Sequence, residues 1–387
     1  MTIKGRAFIA GAYEHPGRVI TDRTTMEIFA EVAAGALEDA GLSREDVDGF
    51  LCAGDAPGFG GISTLEYLGL RDVRYIDTTE MGGASYITHV GHAAMAIAEG
   101  RCGVALIVLA GRPRSAPAEA RPRSQGPEAN FEQVFGPTNP SLYALAARRH
   151  MYEYGTTPEQ LAAIKVAAST HAQYNPRAFL PRKVTVEEVL DSPVVSDPLH
   201  RLDCCVITDG GGALVVVSPE IAGNLERDCV KILGHGECAY HARDGRVDLT
   251  STGAKWSGPR AFDEAGLRPH DVHYASIYDS FTITVLESLE DLGFCEKGAG
   301  GDFVLDGSLI APHGRLPVNT DGGGLCNNHP ANRGGMTKVI EAVRQLRGEA
   351  NPEVQVPNCE IALAHGAGGS LGTRMASATV LLGRADA

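Results

Sequence analysis

A twelve-residue stretch occurs twice in this chain of 387 residues: Ala36–Val47 (ALEDAGLSREDV) returns as Ala261–Val272 (AFDEAGLRPHDV) at a constant offset of 225. Each copy reads as the end of a helix, a stop at Gly41 or Gly266, a turn, and then a short apolar run that suits a strand, Gly49–Cys52 in one case and Tyr274–Tyr278 in the other. A second echo pairs Ala93–Gly100 and the following Val104–Ala110 with Val339–Gly348 and the following Glu360–Ala364. Repeated helix-and-strand units with this separation limit the fold to an α/β architecture built from two related halves.

Composition agrees with that limit. Hydrophobic residues make up 43% of the chain but aromatics only 6%, and 47 residues are glycine, which favours helices packed closely on strands over an all-β sandwich. Apolar runs stay too short for a membrane span and no charged-then-apolar leader opens the sequence, so a cytoplasmic protein is expected. Nine cysteines without zinc-site spacing are expected as reduced thiols. With 34 basic and 48 acidic residues the net charge is −14, which argues against a nucleic-acid partner. Arg112, Arg114, Arg121 and Arg123 are candidates for a local patch that takes a phosphorylated ligand.

In chain order, a strand is expected over Ile3–Ala12 and an amphipathic helix over Thr25–Ala40. Further helices are expected over Leu142–Tyr154 and Pro158–Gln173, and buried strands follow Asp209 and close the chain at Ala378–Leu382. Arg112–Pro140 is rich in Pro, Arg and Ser without a period and reads as a long loop covering a site or a partner surface. The richest corner is Leu316–Met336. Gly322, Gly323 and Gly324 let the backbone turn tightly and offer its N–H groups to a ligand, and His329 follows on the same loop. Neither this glycine run nor Gly210–Gly212 has the spacing of a dinucleotide or Walker loop.

The tandem halves, the glycine loop carrying His329-Pro330 and the hairpin Ala364–Gly372 together resemble the thiolase superfamily over essentially the whole chain. Leu202–Ala213, Tyr278–Phe281 and Leu289–Cys295 are similar to the sterol-carrier-type thiolases and the lipid-transfer proteins of steroid side-chain degradation. The resemblance implies a thiolase fold, two βαβαβ halves in a layered α-β-α-β-α sandwich, with residues 1–230 as the first half, an insertion at about 112–200, and residues 231–387 as the second.

A thiolase acylates a cysteine at a helix N-terminus, where the helix dipole favours the thiolate. The matching stretch here is Met81–Tyr86, the cysteine position falls at about Gly83, and no cysteine lies between Cys52 and Cys102. By the same resemblance Tyr278 stands at the family's Asn or His position, His329 matches the His of Gly-His-Pro with Asn328 replacing the glycine, and His365 takes the place of the C-terminal acid/base cysteine. With the thiol gone and a polar wall kept, the pattern implies retro-aldol cleavage of a β-hydroxyacyl-CoA, with Tyr278 or His329 as base, His365 as acid, and Gly83, Gly368, Gly369 and Asn328 around the thioester. Two alternatives stay open: acyl transfer through Cys326 or Ser85, and a non-catalytic subunit that binds acyl-CoA or lipid. Coenzyme A thioester is then the substrate, with no permanently bound cofactor. A homodimer and an OB-fold partner with a zinc ribbon are implied as well. His89 and His92, one helical turn apart, are expected to pack rather than to bind metal, and Cys204 and Cys205 are expected to be packing residues.

Overall fold

A computed structural model describes residues 2–54, 56–116, 136, 138–241, 248–330, 334–370 and 374–385. Nine strands form one mixed sheet: β1 (Phe8–Glu14), β2 (Gly49–Leu51), β3 (Tyr75–Asp77), β4 (Val104–Gly111), β5 (Gly210–Val217), β6 (Val230–His241), β7 (Tyr274–Ile277), β8 (Ile361–Ser370) and β9 (Arg374–Gly383). Their spatial order is β3-β2-β4-β5-β1-β6-β9-β8-β7. Only Phe8–Lys231 and Ile9–Val230 pair at the β1–β6 seam, and outward from it both halves repeat one pattern: β1-β5-β4-β2 on one side, β6-β9-β8-β7 on the other. In each half the two inner junctions are antiparallel and the outer one, β4–β2 or β8–β7, is parallel. The repeat read from the sequence is therefore a repeat of topology.

The helices account for the layers. α1 (Thr25–Ala40) and α2 (Ser85–Ala98) belong to the first half, α5 (Ala254–Ala265), α6 (Thr282–Asp291) and α7 (Gly335–Arg347) to the second, while α3 (Asn139–Tyr154) and α4 (Pro158–Ala172) lie between β4 and β5 in the chain. Along β4, Val104, Leu106 and Val108 pack with α1, whereas Ala105, Ile107 and Leu109 face a core shared with α2 and α7. That central core also takes Ala362, Ala364 and Val380 of the second half, and α5 and α6 cover the far side with α3 and α4. With the two halves of this one sheet as separate layers, the order helix, strands, helix, strands, helix is the expected layered sandwich.

Local chemistry sets the ends of these elements. Thr24 and Glu27 form a reciprocal N-terminal cap on α1, and Gly41 ends the helix at φ 69°. Gly266, 225 residues later, ends α5 at φ 67°. Helix and strand approach alike in the two halves, because a Cβ on Gly11 would lie 2.1 Å from the Ala36 carbonyl oxygen and one on Gly234 would lie 2.4 Å from that of Ala261. The first strand starts at Phe8 rather than Ile3, since Arg6 donates its N–H to the Ile3 carbonyl in a turn with Gly5 at φ 66°. Helix α3 starts three residues earlier than expected: Thr138 caps it, and Pro140 is tolerated in the first turn, where no intrahelical N–H is needed.

Much of the expected loop, 117–135 and 137, with Arg121 and Arg123, lies outside the described residues. Arg112 donates to the Ile20 carbonyl, and Arg114 donates to that of Ile207 and lies 4.3 Å over the Phe179 ring, so both anchor the loop base. Among the described residues no helix is long and apolar enough to cross a membrane.

Replacing Gly234 with alanine forces α5 off β6 and is expected to cost about 1–3 kcal/mol of stability. Urea unfolding of Gly234→Ala checks this; an unchanged midpoint would mean that the helix retreats without loss.

Candidate active site

β7 ends by handing Tyr278 and Asp279 to the centre of the molecule. Asn319, at φ 53°, gives its side-chain carbonyl to the Ile277 N–H and its amide to the Ile277 carbonyl, which continues the sheet where no strand is available. Tyr278 donates its own N–H to the His365 carbonyl at 2.9 Å. Its hydroxyl meets His329 Nε2 at 2.8 Å, with ring centroids 5.5 Å apart. His329 is held at its backbone, where its N–H donates to Thr208 Oγ1 at 2.9 Å.

The glycine run has a different purpose from the one expected. Gly324 and Leu325 donate their N–H groups to the Asp279 carboxylate at 2.8 and 3.0 Å, and Gly323 donates to Asp321, so these donors are used inside the protein. A Cβ on Gly323 would lie 2.1 Å from Asp279 Oδ2, and Gly323 has φ 61°, so glycine is required there for the loop to close round the carboxylate. Lys338 of α7, fully buried, places Nζ 2.7 Å from Asp279 Oδ1.

Tyr278 and His329 face a cavity of about 640 Å³. Gly82, Gly83, Ala367, Gly368 and Gly369 form its backbone wall, Glu80 and Ser280 add polar groups, and Pro140, Tyr143, Val195, Ile207 and Phe281 make an apolar side. Tyr143 and Phe281 are stacked with centroids 4.2 Å apart. Gly83 lies in the turn that leads into α2, whose N-terminal end brings partial positive charge to this wall. A Cβ at position 83 would stand 2.3 Å from the Ala367 carbonyl oxygen and 2.5 Å from Tyr278 Cζ.

Of the residues named from the sequence, Tyr278, His329, Gly83, Gly368 and Gly369 meet at this cavity, and four others do not. His365 is fully buried and bonds through Nδ1 to Thr379 Oγ1 at 2.9 Å and through Nε2 to Ser377 Oγ at 3.4 Å. The alternation of β8 explains this: Gly366 and Gly368 face the turn at Met81–Gly83, which sends the His365 ring to the other face of the strand. The Asn328 side chain accepts from Thr208 Oγ1 and donates to Glu14 Oε1, turned away from the cavity. Cys326 is fully buried 3.1 Å from Lys165 Nζ, and burial raises its thiol pKa. Ser85 accepts the Met81 N–H at 2.8 Å and has the Glu80 carboxylate at 3.4 Å. His89 bonds to the Thr79 carbonyl, and His92 lies between Asp77 and Glu237, so both are held by protein partners.

Cys204 and Cys205 were expected to be packing residues, yet both line the cavity. Burial pushes their thiols up to about 12, so they are protonated near neutral pH. Asp279, Lys338, Asn319 and Thr208 were not identified from the sequence. Only Asp279 had a signal there, as the neighbour of Tyr278. Burial lowers His329 to about 4, with Asp279 acting to raise it and Lys338 to lower it, so the ring is neutral at pH 7 and can accept a proton.

Residues 236–384 match the family model "Thiolase C-terminal domain-like". An acetyl-CoA acetyltransferase from Methanothermobacter thermautotrophicus is 36% identical over 91% of this chain and 93% of its own. A steroid side-chain-cleaving aldolase from Thermomonospora curvata is 35% identical over 89% of this chain and 91% of its own. Among solved structures, a chain of the "Ltp2-ChsH2(DUF35) aldolase" superposes with a TM-score of 0.89 at 32% identity, covering 99% of both chains. With a repeated, layered fold, a tyrosine–histidine pair between its halves and relatives matched along nearly their full length, the chain belongs to the thiolase superfamily, on the branch that includes steroid side-chain-cleaving aldolases.

Proposed function

We propose that this chain is a carbon–carbon lyase that cleaves a β-hydroxyacyl-CoA by retro-aldol chemistry to a carbonyl product and a shorter acyl-CoA. The 2.8 Å contact between the Tyr278 hydroxyl and the neutral His329 ring, opening on the cavity beside Gly83, carries this reading. His329 draws the phenolic proton as the Tyr278 oxygen takes the proton of the substrate's β-hydroxyl. The Cα–Cβ bond breaks, the β-carbon becomes a carbonyl, and the electron pair enters the thioester as an enolate. Backbone around Gly83, Gly368 and Gly369 and the N-terminal end of α2 face the developing oxyanion. The proton then returns through Tyr278 to the α-carbon, so no covalent acyl-enzyme is required.

The acyl substituent lies against Tyr143, Phe281 and Ile207 in this reading. Coenzyme A is the carrier, as the name of the acetyltransferase relative suggests, and the structural match to a complex with a DUF35 component supports a partner of that kind. We further propose a homodimer built on the edge of β3, where Phe59, Ile62, Tyr67 and Ile76 are exposed. Within that assembly the chain divides after residue 230.

Acyl transfer through Cys205 is the second reading, because that thiol lines the cavity. To separate the two, the protein, alone and with a DUF35 partner, is incubated with a β-hydroxyacyl-CoA, or with a β-ketoacyl-CoA plus free CoA. Cleavage of the hydroxy substrate without free CoA is expected, and Tyr278→Phe should slow it by about 10²–10⁴-fold. A strict need for free CoA, or an acyl adduct on Cys205 in mass spectrometry, overturns the lyase reading.

Restoring a thiol at the family position does not restore thiolysis. Gly83→Cys drives a Cβ into the Ala367 carbonyl and the Tyr278 ring and should lower stability by at least about 1–3 kcal/mol in thermal or urea unfolding, without gain of β-ketoacyl-CoA thiolysis. A stable Gly83→Cys protein that becomes acylated would show that the tyrosine does not block this position.

A further inference from the structure

Behind the tyrosine–histidine pair lies a charge arrangement that the proposed chemistry has not used. Asp279 follows Tyr278 directly, and a Cβ on Gly324 would lie 3.0 Å from Asp279 Oδ1 and 3.2 Å from His329 Cδ2, so carboxylate and imidazole flank the same glycine. Alone, a buried carboxylate so close would favour the imidazolium and remove the base. Lys338 reaches from α7 to Asp279 Oδ1 at 2.7 Å, with both side chains about 1% exposed. Among the described residues, the ionisable groups around His329 are Tyr278 and Asp279 at the end of β7, Lys338 on α7, Cys205, which also senses Asp279 and Lys338, and Glu80, Cys204 and Tyr143 on the cavity wall.

We infer that Lys338 is a positioning residue for the proposed reaction: it cancels the Asp279 carboxylate, so that Asp279 can hold the glycine loop without stabilising the imidazolium form of His329. The arrangement separates two tasks. Asp279 fixes geometry through the Gly324 and Leu325 N–H groups, and the lysine removes the electrostatic effect of that carboxylate on the imidazole. The inference rests on His329 being the base in Proposed function, but the protonation of the ring can be measured apart from turnover.

The full-length protein, labelled with ¹⁵N-histidine, is titrated by NMR with the His329 signal assigned from His329→Asn, and the pH dependence of kcat/KM for β-hydroxyacyl-CoA cleavage is recorded in parallel. Native His329 should stay neutral down to about pH 4. Lys338→Met should raise its titration midpoint by about one unit or more, a tenfold gain in proton affinity, and move the acid limb of kcat/KM by the same amount. Lys338→Arg should keep the native midpoint, and Asp279→Asn/Lys338→Met should restore it. An unmoved midpoint in folded Lys338→Met, or an equal shift in Lys338→Arg, overturns the inference. If Lys338→Met does not fold, Asp279→Asn alone decides: the remaining ammonium must leave the midpoint at or below the native value, and a rise overturns the proposal. A shifted midpoint with an unshifted acid limb would remove His329 as the base while leaving the screening intact.

Discussion

The Asp279 carboxylate ties together three parts of the chain that are far apart in sequence: the end of β7, the glycine loop before His329, and α7 through Lys338. Removing one partner of a buried ion pair typically costs about 3–5 kcal/mol, because the remaining charge is then uncompensated. Both members of the tyrosine–histidine pair depend on this junction. Tyr278 is the residue before the carboxylate, and the loop closed round that carboxylate leads directly to His329. The glycines are needed because backbone must come within side-chain distance of Asp279, a spacing that a Cβ at Gly323 would forbid.

Positions 83 and 278 compete for one volume. The Tyr278 ring stands 2.5 Å from where a Cβ on Gly83 would be, and the Ala367 carbonyl closes the other side. A thiol at the helix N-terminus and a tyrosine at the strand end are therefore mutually exclusive in this backbone arrangement. In the proposed reading, a position 83 without a thiol and a phenol on histidine go together, and such a site offers proton transfer in place of a covalent acyl-enzyme. The remaining thiols do not reverse it: Cys204 and Cys205 face the cavity but are held protonated by burial, and Cys326 is enclosed against Lys165.

The repeat at offset 225 was legible because helix ends carry their own chemistry, and Gly41 and Gly266 mark the same left-handed stop in both halves. Helix periodicity located α1 to the residue and α4 to within one. Layer order followed from the family resemblance and not from local pattern, and strand register was not legible, since it arises from contacts between residues hundreds of positions apart. The same limit applied at the site. His329 and Tyr278 were recognisable by motif, but their contact depends on Asn319 standing in for a strand, and a lone asparagine in a loop carries no such signal. His365 was misplaced because motif spacing does not tell which face of a strand a residue occupies, and the glycines beside it settle that only once their neighbours are known.

His365 also shows why burial alone does not make a histidine a catalyst. Burial lowers both rings, His365 to about 3 and His329 to about 4, and both are neutral at physiological pH. Their partners differ. His365 bonds to the hydroxyls of Thr379 and Ser377, neither of which lines the cavity, so the ring serves the packing between β8 and β9. His329 has a phenol on Nε2, and that phenol lines a cavity large enough for a substrate. A neutral imidazole becomes useful when the group that it polarises also touches solvent or ligand. In this fold that condition is met where the end of β7 meets the glycine loop, beside the N-terminal turn of α2, so that both halves of the repeat contribute to one site.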